Sequence, residues 1–151
     1  MTAVKAIALA ASLILPSVAA AQDTDDILQA RQGFMSLLGF NMGQLSGMAK
    51  GEIAYDPEAA SLAARNIAAL TNYEIWPLFV EGTSSADLDE SDALPVIWEK
   101  PDDFRAKFAA LREAAAAAPE AVGGGQEALG PALQQLGGAC KSCHDTYRKD
   151  D

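Results

Sequence analysis

Four segments of the chain place apolar residues every three or four positions, which is the spacing of one face of an α-helix. These segments run over about residues 24–49, 56–76, 102–118 and 126–149. No segment alternates apolar and polar residues in the way a half-buried β-strand does. Four amphipathic helices with a long connection between the second and the third predict an all-α fold, an antiparallel four-helix bundle.

Residues typical of turns and helix caps mark the ends of these segments. Lys50-Gly51 predicts the end of the first helix, and Asp56-Pro57 predicts an N-cap and a first turn for the second. The second helix is expected to break near Trp76-Pro77, and residues 81–100 read as a long connection packed on the bundle. Gly123-Gly124-Gly125 predicts the last turn, and the following Gly130-Pro131 should weaken the start of the fourth helix.

The same periodicity predicts which side chains face the core. The predicted inward residues are Ile27, Phe34, Leu38, Leu45 and Met48 in the first helix, Leu62, Ala63, Asn66, Ala69, Leu70 and Tyr73 in the second, and Phe104, Phe108, Leu111 and Ala115 in the third. Arg31 falls on the first apolar stripe. A buried guanidinium there needs an anionic partner, and the alternative is that Arg31 extends to solvent at the edge of the bundle.

The first 22 residues, "MTAVKAIALAASLILPSVAAAQ", have the order of a secretory signal. Lys5 precedes an apolar run over residues 6–15, and Ala19-Ala20-Ala21 forms a small-residue cleavage site. We expect residues 1–21 to be a signal peptide cleaved after Ala21, leaving one domain over residues 22–151 in the periplasm. An uncleaved anchor is the alternative, although the apolar run is too short to span a bilayer.

The net charge of the chain restricts the classes of partner that it is expected to bind. The full sequence has 11 basic and 21 acidic residues, a net charge of −10. Cleavage after Ala21 removes Lys5 alone among these, so the mature chain carries −11. This balance argues against nucleic acid or an anionic membrane surface as a partner.

The two cysteines and the one histidine of the chain lie within five residues, in the motif Cys140-Lys141-Ser142-Cys143-His144. C-x-x-C-H is the attachment signature of c-type haem, and helical spacing puts Cys140 and His144 on one face. Three other uses of the motif fit less well. A zinc site needs four ligands, and the chain offers only two cysteines and one histidine. A thioredoxin-type dithiol follows a β-strand, which is not predicted here, and a disulfide between these cysteines would close a very small loop. The motif therefore predicts one haem c, attached covalently through Cys140 and Cys143, with His144 as an axial iron ligand.

The motif lies near the C-terminus, with the other helices before it. In this arrangement the chain resembles class II c-type cytochromes, and cytochrome c′ in particular. The segments "ARQGFM", "MAKGEIAYD", "LFVEGT", "LPVIW" and "CKSCHDTYRK" occur in the order found in that family. The resemblance implies a haem held between the four helices, and a periplasmic homodimer formed through the first two helices. It also implies five-coordinate, high-spin iron that binds NO and CO but discriminates against oxygen.

The resemblance assigns roles to further residues. Arg31 corresponds to an arginine near the haem propionates, and Met35 to the residue that faces the iron on the distal side. Phe34, Leu38 and Phe79 are the other expected distal or pocket-lining side chains.

On the proximal side, Arg148 corresponds to a residue near the haem face that could assist an NO-bound state from which His144 has dissociated. A solvated cation at the end of the helix is the alternative for Arg148.

The absence of a second histidine excludes bis-histidine ligation, so the sixth iron position is methionine, a weaker ligand or empty. "RQGFM" is more similar to the high-spin members, which favours gas binding. The alternative is a low-spin electron carrier with His144 and Met35 as axial ligands. A redox partner protein is expected, but no charge patch in the sequence names its docking face. The distal candidates offer no acid–base pair for a peroxidase, so we expect no enzymatic activity.

Overall fold

The computed structural model describes residues 24–150, so the expected signal peptide and its cleavage site after Ala21 lie outside the described residues. The helices are α1 (Thr24–Lys50), α2 (Pro57–Thr71), the short α3 (Val96–Glu99), α4 (Pro101–Ala121) and α5 (Gln126–Tyr147), with 3₁₀ turns at Trp76–Leu78 and Val122–Gly124. Residues 24–150 contain no β-strand, and Ala93 and Arg148 form one isolated antiparallel bridge. No helix in this range is long and apolar enough to cross a membrane.

The four long helices form the predicted bundle. Helix α1 packs against α2 and α5, and α4 packs against the same two helices. Short turns reverse the chain between α1 and α2 and between α4 and α5. The long connection between α2 and α4 crosses one end of the bundle. The all-α four-helix prediction is therefore confirmed.

Cap chemistry accounts for the short turns. Gly51 has a φ of 75°, the left-handed conformation that lets a glycine end α1. The Asp56 side chain accepts a 2.8 Å hydrogen bond from the backbone N–H of Ala59 and caps α2. Gly125, with a φ of 115°, precedes α5. These boundaries agree with the sequence-based expectation.

Three helix ends differ from the prediction, since α4 also continues beyond residue 118 to Ala121. Helix α2 ends at Thr71, before the expected break at Trp76, and α5 ends at Tyr147 instead of near Lys149. Conversely, Pro119 lies inside the last turn of α4, and Gly130-Pro131 lie inside α5 without interrupting it. Burial of apolar residues on the inner face of each helix outweighs these local preferences.

The predicted core faces of α1 and α4 are confirmed, because every residue of both stripes is buried. The predicted face of α2 is wrong in part. Its buried residues are Ala60, Ala63, Ala64, Ile67 and Thr71. Leu62 and Tyr73 are 53% and 50% exposed, and Asn66 and Ala69 are also exposed. The buried face of α2 is thus formed mainly by small alanine side chains, and Leu62 lies outside it.

The connection over residues 81–100 is packed on the bundle, as expected. Ile97 in α3 is 1% exposed and belongs to the core. The indole N–H of Trp98 donates a 3.0 Å hydrogen bond to the carbonyl oxygen of Phe79. The connection therefore covers the end of the bundle at which α1 begins and α5 ends.

Candidate haem-binding site

The three residues of the C-x-x-C-H motif lie in the last two turns of α5. Cys140, Cys143 and His144 are all partly buried, and the two cysteines pack against the hydrophobic core. Both thiols are free of a disulfide bond. Thioether attachment to a haem is a use that needs two free thiols this close together.

The environment of the motif favours neutral groups. Burial raises the pKa of the Cys140 thiol and raises that of Cys143 to about 11. A reactive thiolate pair would need the opposite shift. Burial, and then the nearby charge of Arg148, lower the pKa of His144, so its imidazole is neutral at pH 7. A neutral imidazole has the nitrogen lone pair that binds iron.

This set of donors fits haem c better than a bare metal ion. Two protonated thiols and a neutral imidazole at helical spacing are the groups that c-type attachment requires. Residues 24–150 contain no group of three or more histidine, cysteine, aspartate or glutamate side chains placed to hold a metal ion. A tetrahedral zinc site is therefore not assembled in the described part of the chain.

The end of α5 is fixed by contacts with α4 and with the long connection. The Tyr147 hydroxyl donates a 2.6 Å hydrogen bond to Oδ2 of Asp103, and its ring meets Phe104 edge-on at 5.3 Å between centroids. The backbone N–H of Leu94 donates to the carbonyl of Tyr147 at 2.9 Å. These bonds hold the turn that follows His144.

Two further contacts involve the residues between the motif positions. Nζ of Lys107 donates a 3.0 Å hydrogen bond to Oγ of Ser142, which joins α4 to the motif. Lys141 pairs with Asp145 one turn later at 2.7 Å. Both contacts are exposed to solvent, where an ion pair such as Lys141–Asp145 contributes little to stability.

An aromatic cluster occupies this end of the bundle. Phe104 lies 4.8 Å from Phe79 and 6.3 Å from Trp76 between ring centroids. Phe34 lies 6.3 Å from Phe108. The predicted residues Phe34 and Phe79 are both buried here. Sequence reasoning missed Trp76 and Tyr147 as parts of the site, although the aromatic residues of the Trp76–Phe79 segment were a usable signal.

Arg31 is 5% exposed and does not extend to solvent, so that alternative is wrong. Its Nε donates to the carbonyl of Leu78 at 2.9 Å, and Nη1 donates to the carbonyl of Thr83 at 3.0 Å and to Oγ of Ser91 at 3.3 Å. Nη2 donates to the Thr83 hydroxyl. The guanidinium also lies 4.8 Å above the Phe79 ring.

All the acceptors of Arg31 are neutral oxygen atoms of the connection between α2 and α3. Four of the five N–H groups of a guanidinium are used in this way, which leaves one for another acceptor. Arg31 therefore fastens the connection to α1. Its expected place near the haem propionates stays a prediction.

Met35 lies at its expected helical position on α1, whereas Arg148 lies outside the predicted helix because α5 ends at Tyr147. Met35 is one turn after Arg31 on α1 and is 37% exposed, whereas Phe34 and Leu38 beside it are buried. Arg148 directly follows α5 in extended conformation, and its backbone N–H donates to the carbonyl of His144 at 3.0 Å. Their roles toward the iron remain predictions.

Comparison with known proteins agrees with this site. The sequence profile of the family Cytochrome C′ matches residues 26–148. The chain is 42% identical over 153 residues to cytochrome c-554 of Cereibacter sphaeroides, covering 100% of both chains. Its structure is similar to that of cytochrome c′ from Rhodobacter spheriodes, with a TM-score of 0.82 and 41% identity, covering 85% of this chain and 99% of the other.

Two more distant structures bear on function. One is a nitric oxide complex of a point mutant of cytochrome c prime from Alcaligenes xylosoxidans, with 27% identity, a TM-score of 0.72 and coverage of 85% and 97%. The other is a cytochrome c′ with ligand-controlled dimer dissociation, with 28% identity, a TM-score of 0.75 and coverage of 84% and 97%. The match over almost the whole described chain shows that this protein is a member of the cytochrome c′ family.

Proposed function

We propose that this chain is a periplasmic haem c protein that binds NO and CO at five-coordinate iron and also exchanges electrons with a partner protein. Cys140 and Cys143 would hold the haem covalently, and His144 would bind its iron. The observation that carries the proposal is the pair of free, partly buried thiols beside a neutral imidazole, at the end of α5 in a chain of this family.

When bound, haem c supplies an iron that takes diatomic ligands and changes oxidation state. The chain supplies the surroundings. His144 offers a neutral imidazole, and the hydrogen bonds of Tyr147 hold the helix end that carries it. With haem bound, Met35, Phe34 and Phe79 would surround its distal side with apolar groups, which would admit small diatomics and give no hydrogen bond to a polar ligand.

Gas binding is supported by the similarity to a cytochrome c prime that was solved as a nitric oxide complex. It is also supported by the single histidine of the chain, since no second imidazole can occupy the sixth position. Arg31 cannot readily act as a distal acid, because its guanidinium is engaged with Leu78, Thr83 and Ser91. We therefore propose that the chain is a binding and electron-transfer protein, not an enzyme.

A homodimer formed through α1 and α2 is part of the proposal. Leu37 and Phe40 on α1 are 54% and 65% exposed, and Leu62 on α2 is 53% exposed. Nδ2 of Asn66 donates to Oδ1 of Asn41 at 3.0 Å, which joins α2 to α1. A second copy would cover these apolar side chains. One structural relative shows ligand-controlled dimer dissociation.

Electron paramagnetic resonance and visible spectra of the ferric protein test the proposal. We expect high-spin signals, and we expect the ferrous protein to bind CO. Low-spin ferric iron with a methionine–iron charge-transfer band would instead identify His144 and Met35 as axial ligands of an electron carrier, and would contradict the gas-binding role.

A matched pair of variants tests the role of Met35. Met35→Ala should accelerate NO and CO association, because removing the side chain relieves crowding of the sixth position. Gln29→Ala is the control, because Gln29 is exposed on the same helix and belongs to neither the site nor the proposed dimer contact. Equal association rates for Met35→Ala and the parent would show that Met35 does not shield the iron.

A further inference from the structure

The charges of the described chain are divided unevenly between the motif region and the remainder. Residues 99–112 and 139–150, which include the first half of α4 and the motif-bearing end of α5, contain seven basic and five acidic residues, a net charge of +2. The rest of the described chain contains three basic and fourteen acidic residues, a net charge of −11. The two segments that carry or face the motif are thus positive, although the protein has a strongly negative total.

The basic side chains of this region are placed close to the motif. Lys107 contacts Ser142 between the two cysteines, at 3.0 Å. The side chain of Lys141 is 74% exposed. Arg148 and Lys149 follow the end of α5 and are exposed, and the backbone N–H of Arg148 donates to the carbonyl of His144 at 3.0 Å. We call Lys107, Lys141, Arg148 and Lys149 the basic surface.

Two of the nearby acidic groups are already engaged. Asp103 accepts the hydrogen bond of the Tyr147 hydroxyl, and Asp145 pairs with Lys141. By contrast, the connection that flanks this region is acidic, with Asp87, Asp89, Glu90 and Asp92 within six residues. The boundary between positive and negative surface therefore runs along the edge of the motif region.

From this division we propose that the basic surface is the docking site for the acidic surface of a redox partner protein. This inference rests on the proposed electron exchange and names the chemistry of the partner. Complementary charge at the docking site accelerates the encounter of the two proteins. The net charge of −11 on the rest of the described chain repels the same acidic partner from other directions. The partner is thereby oriented with its acidic face toward the helix end that carries Cys140, Cys143 and His144.

The sign of the salt dependence of electron transfer tests the inference. Hexacyanoferrate(III), an anion, and tris(phenanthroline)cobalt(III), a cation, are used separately as oxidants of the ferrous protein. If the local charge governs, oxidation by the anion slows by about three- to tenfold as ionic strength rises from about 10 to about 100 mM, and oxidation by the cation accelerates. If the net charge governs, both dependences have the opposite sign and the inference is wrong.

Charge-reversal variants locate the effect. Lys141→Glu combined with Lys149→Glu should reverse both salt dependences, because it makes the motif region negative. Lys50→Glu combined with Arg65→Glu is the matched control, since it changes the total charge equally at exposed positions of α1 and α2. The same reversal in both double variants would overturn the inference. Visible spectra identical to those of the parent check that each variant keeps its haem site.

Direct binding completes the test. A hexaglutamate peptide titrated into the ¹⁵N-labelled holoprotein should shift the amide signals of residues 141–149 and of the Lys107 region. We expect its affinity to fall by about tenfold in the Lys141→Glu/Lys149→Glu variant and to stay unchanged in the control. Shifts confined to other surfaces would contradict the assignment. A chain that carries no haem would show no oxidation by either reagent, which identifies failure of the proposed function and not of the surface.

Discussion

The two ends of the bundle are held together in different ways. At the end with the short turns, Leu45, Ala60, Val122 and Leu129 are all 0% exposed and fill the space between the helices. At the end that carries the C-x-x-C-H motif, the key side chains are only partly buried, and hydrogen bonds from Arg31 and Tyr147 hold the surrounding segments. The first end is complete as a protein core, and the second has a core that we propose a cofactor completes.

The distribution of buried polar groups gives the same contrast. Arg31, Thr83, Ser84 and Ser91 are buried and belong to the motif end or to the connection that crosses it. Buried polar groups require defined partners and tolerate little rearrangement. This end therefore keeps a fixed arrangement around the proposed haem.

The largest expected effect is the removal of both thiols. Cys140→Ala combined with Cys143→Ala should abolish covalent haem, because both thioether bonds are lost. Mass spectrometry of the denatured protein reports the attached haem. Ser142→Ala lies between the two cysteines and should retain it, which controls for disturbance of α5. Covalent haem in the double variant would refute the attachment site.

The short-turn end can be weakened by itself. Leu129→Ala should lower the free energy of unfolding by about 2–5 kcal/mol, since it leaves a cavity in a fully packed region. Denaturant unfolding measures the loss, and the ferric spectrum should stay that of the parent. A change of iron spin state in this variant would show that the two ends are not independent.

The fastening of the long connection depends on Arg31. Arg31→Met should destabilise the protein by about 2–4 kcal/mol, because the carbonyls of Leu78 and Thr83 lose a charged donor. Arg65→Met, at an exposed position on α2, should change stability by less than about 0.5 kcal/mol. Equal effects of the two substitutions would contradict the structural role of Arg31.

The smallest effect is expected from Tyr147→Phe, which removes the hydrogen bond to Asp103 and should cost about 1 kcal/mol. Burial and the Asp103 contact raise the pKa of Tyr147 to about 12 from an ordinary value of 10.0. A raised pKa means that the neutral phenol is favoured in the folded state. The stability contribution is therefore complete below pH 10.0 and is lost as the pH rises toward about 12.

Stability measurements over this pH range, with Tyr73→Phe as the control at a half-exposed tyrosine, check the sign. The difference between parent and Tyr147→Phe should shrink above pH 10.0. A difference that stays constant or grows there would exclude a buried phenol as its source.

The sequence was sufficient for the parts of the structure that rest on a single helix or a local motif. The stripes of α1 and α4 and the C-x-x-C-H motif could be read directly, because helical periodicity and residue spacing are local. The outward placement of Leu62 could not, since it depends on which face α2 packs against α1 and α4. The partners of Arg31 lie 47 to 60 residues away, and no local pattern encodes such contacts.

Amide hydrogen exchange of the haem-bearing protein and of the Cys140→Ala/Cys143→Ala variant tests the contrast between the two ends most directly. We predict that the variant retains protection around Leu45, Val122 and Leu129 and loses it in the last turns of α5 and in residues 76–98. Equal loss of protection at both ends, or no loss at either, would contradict the account.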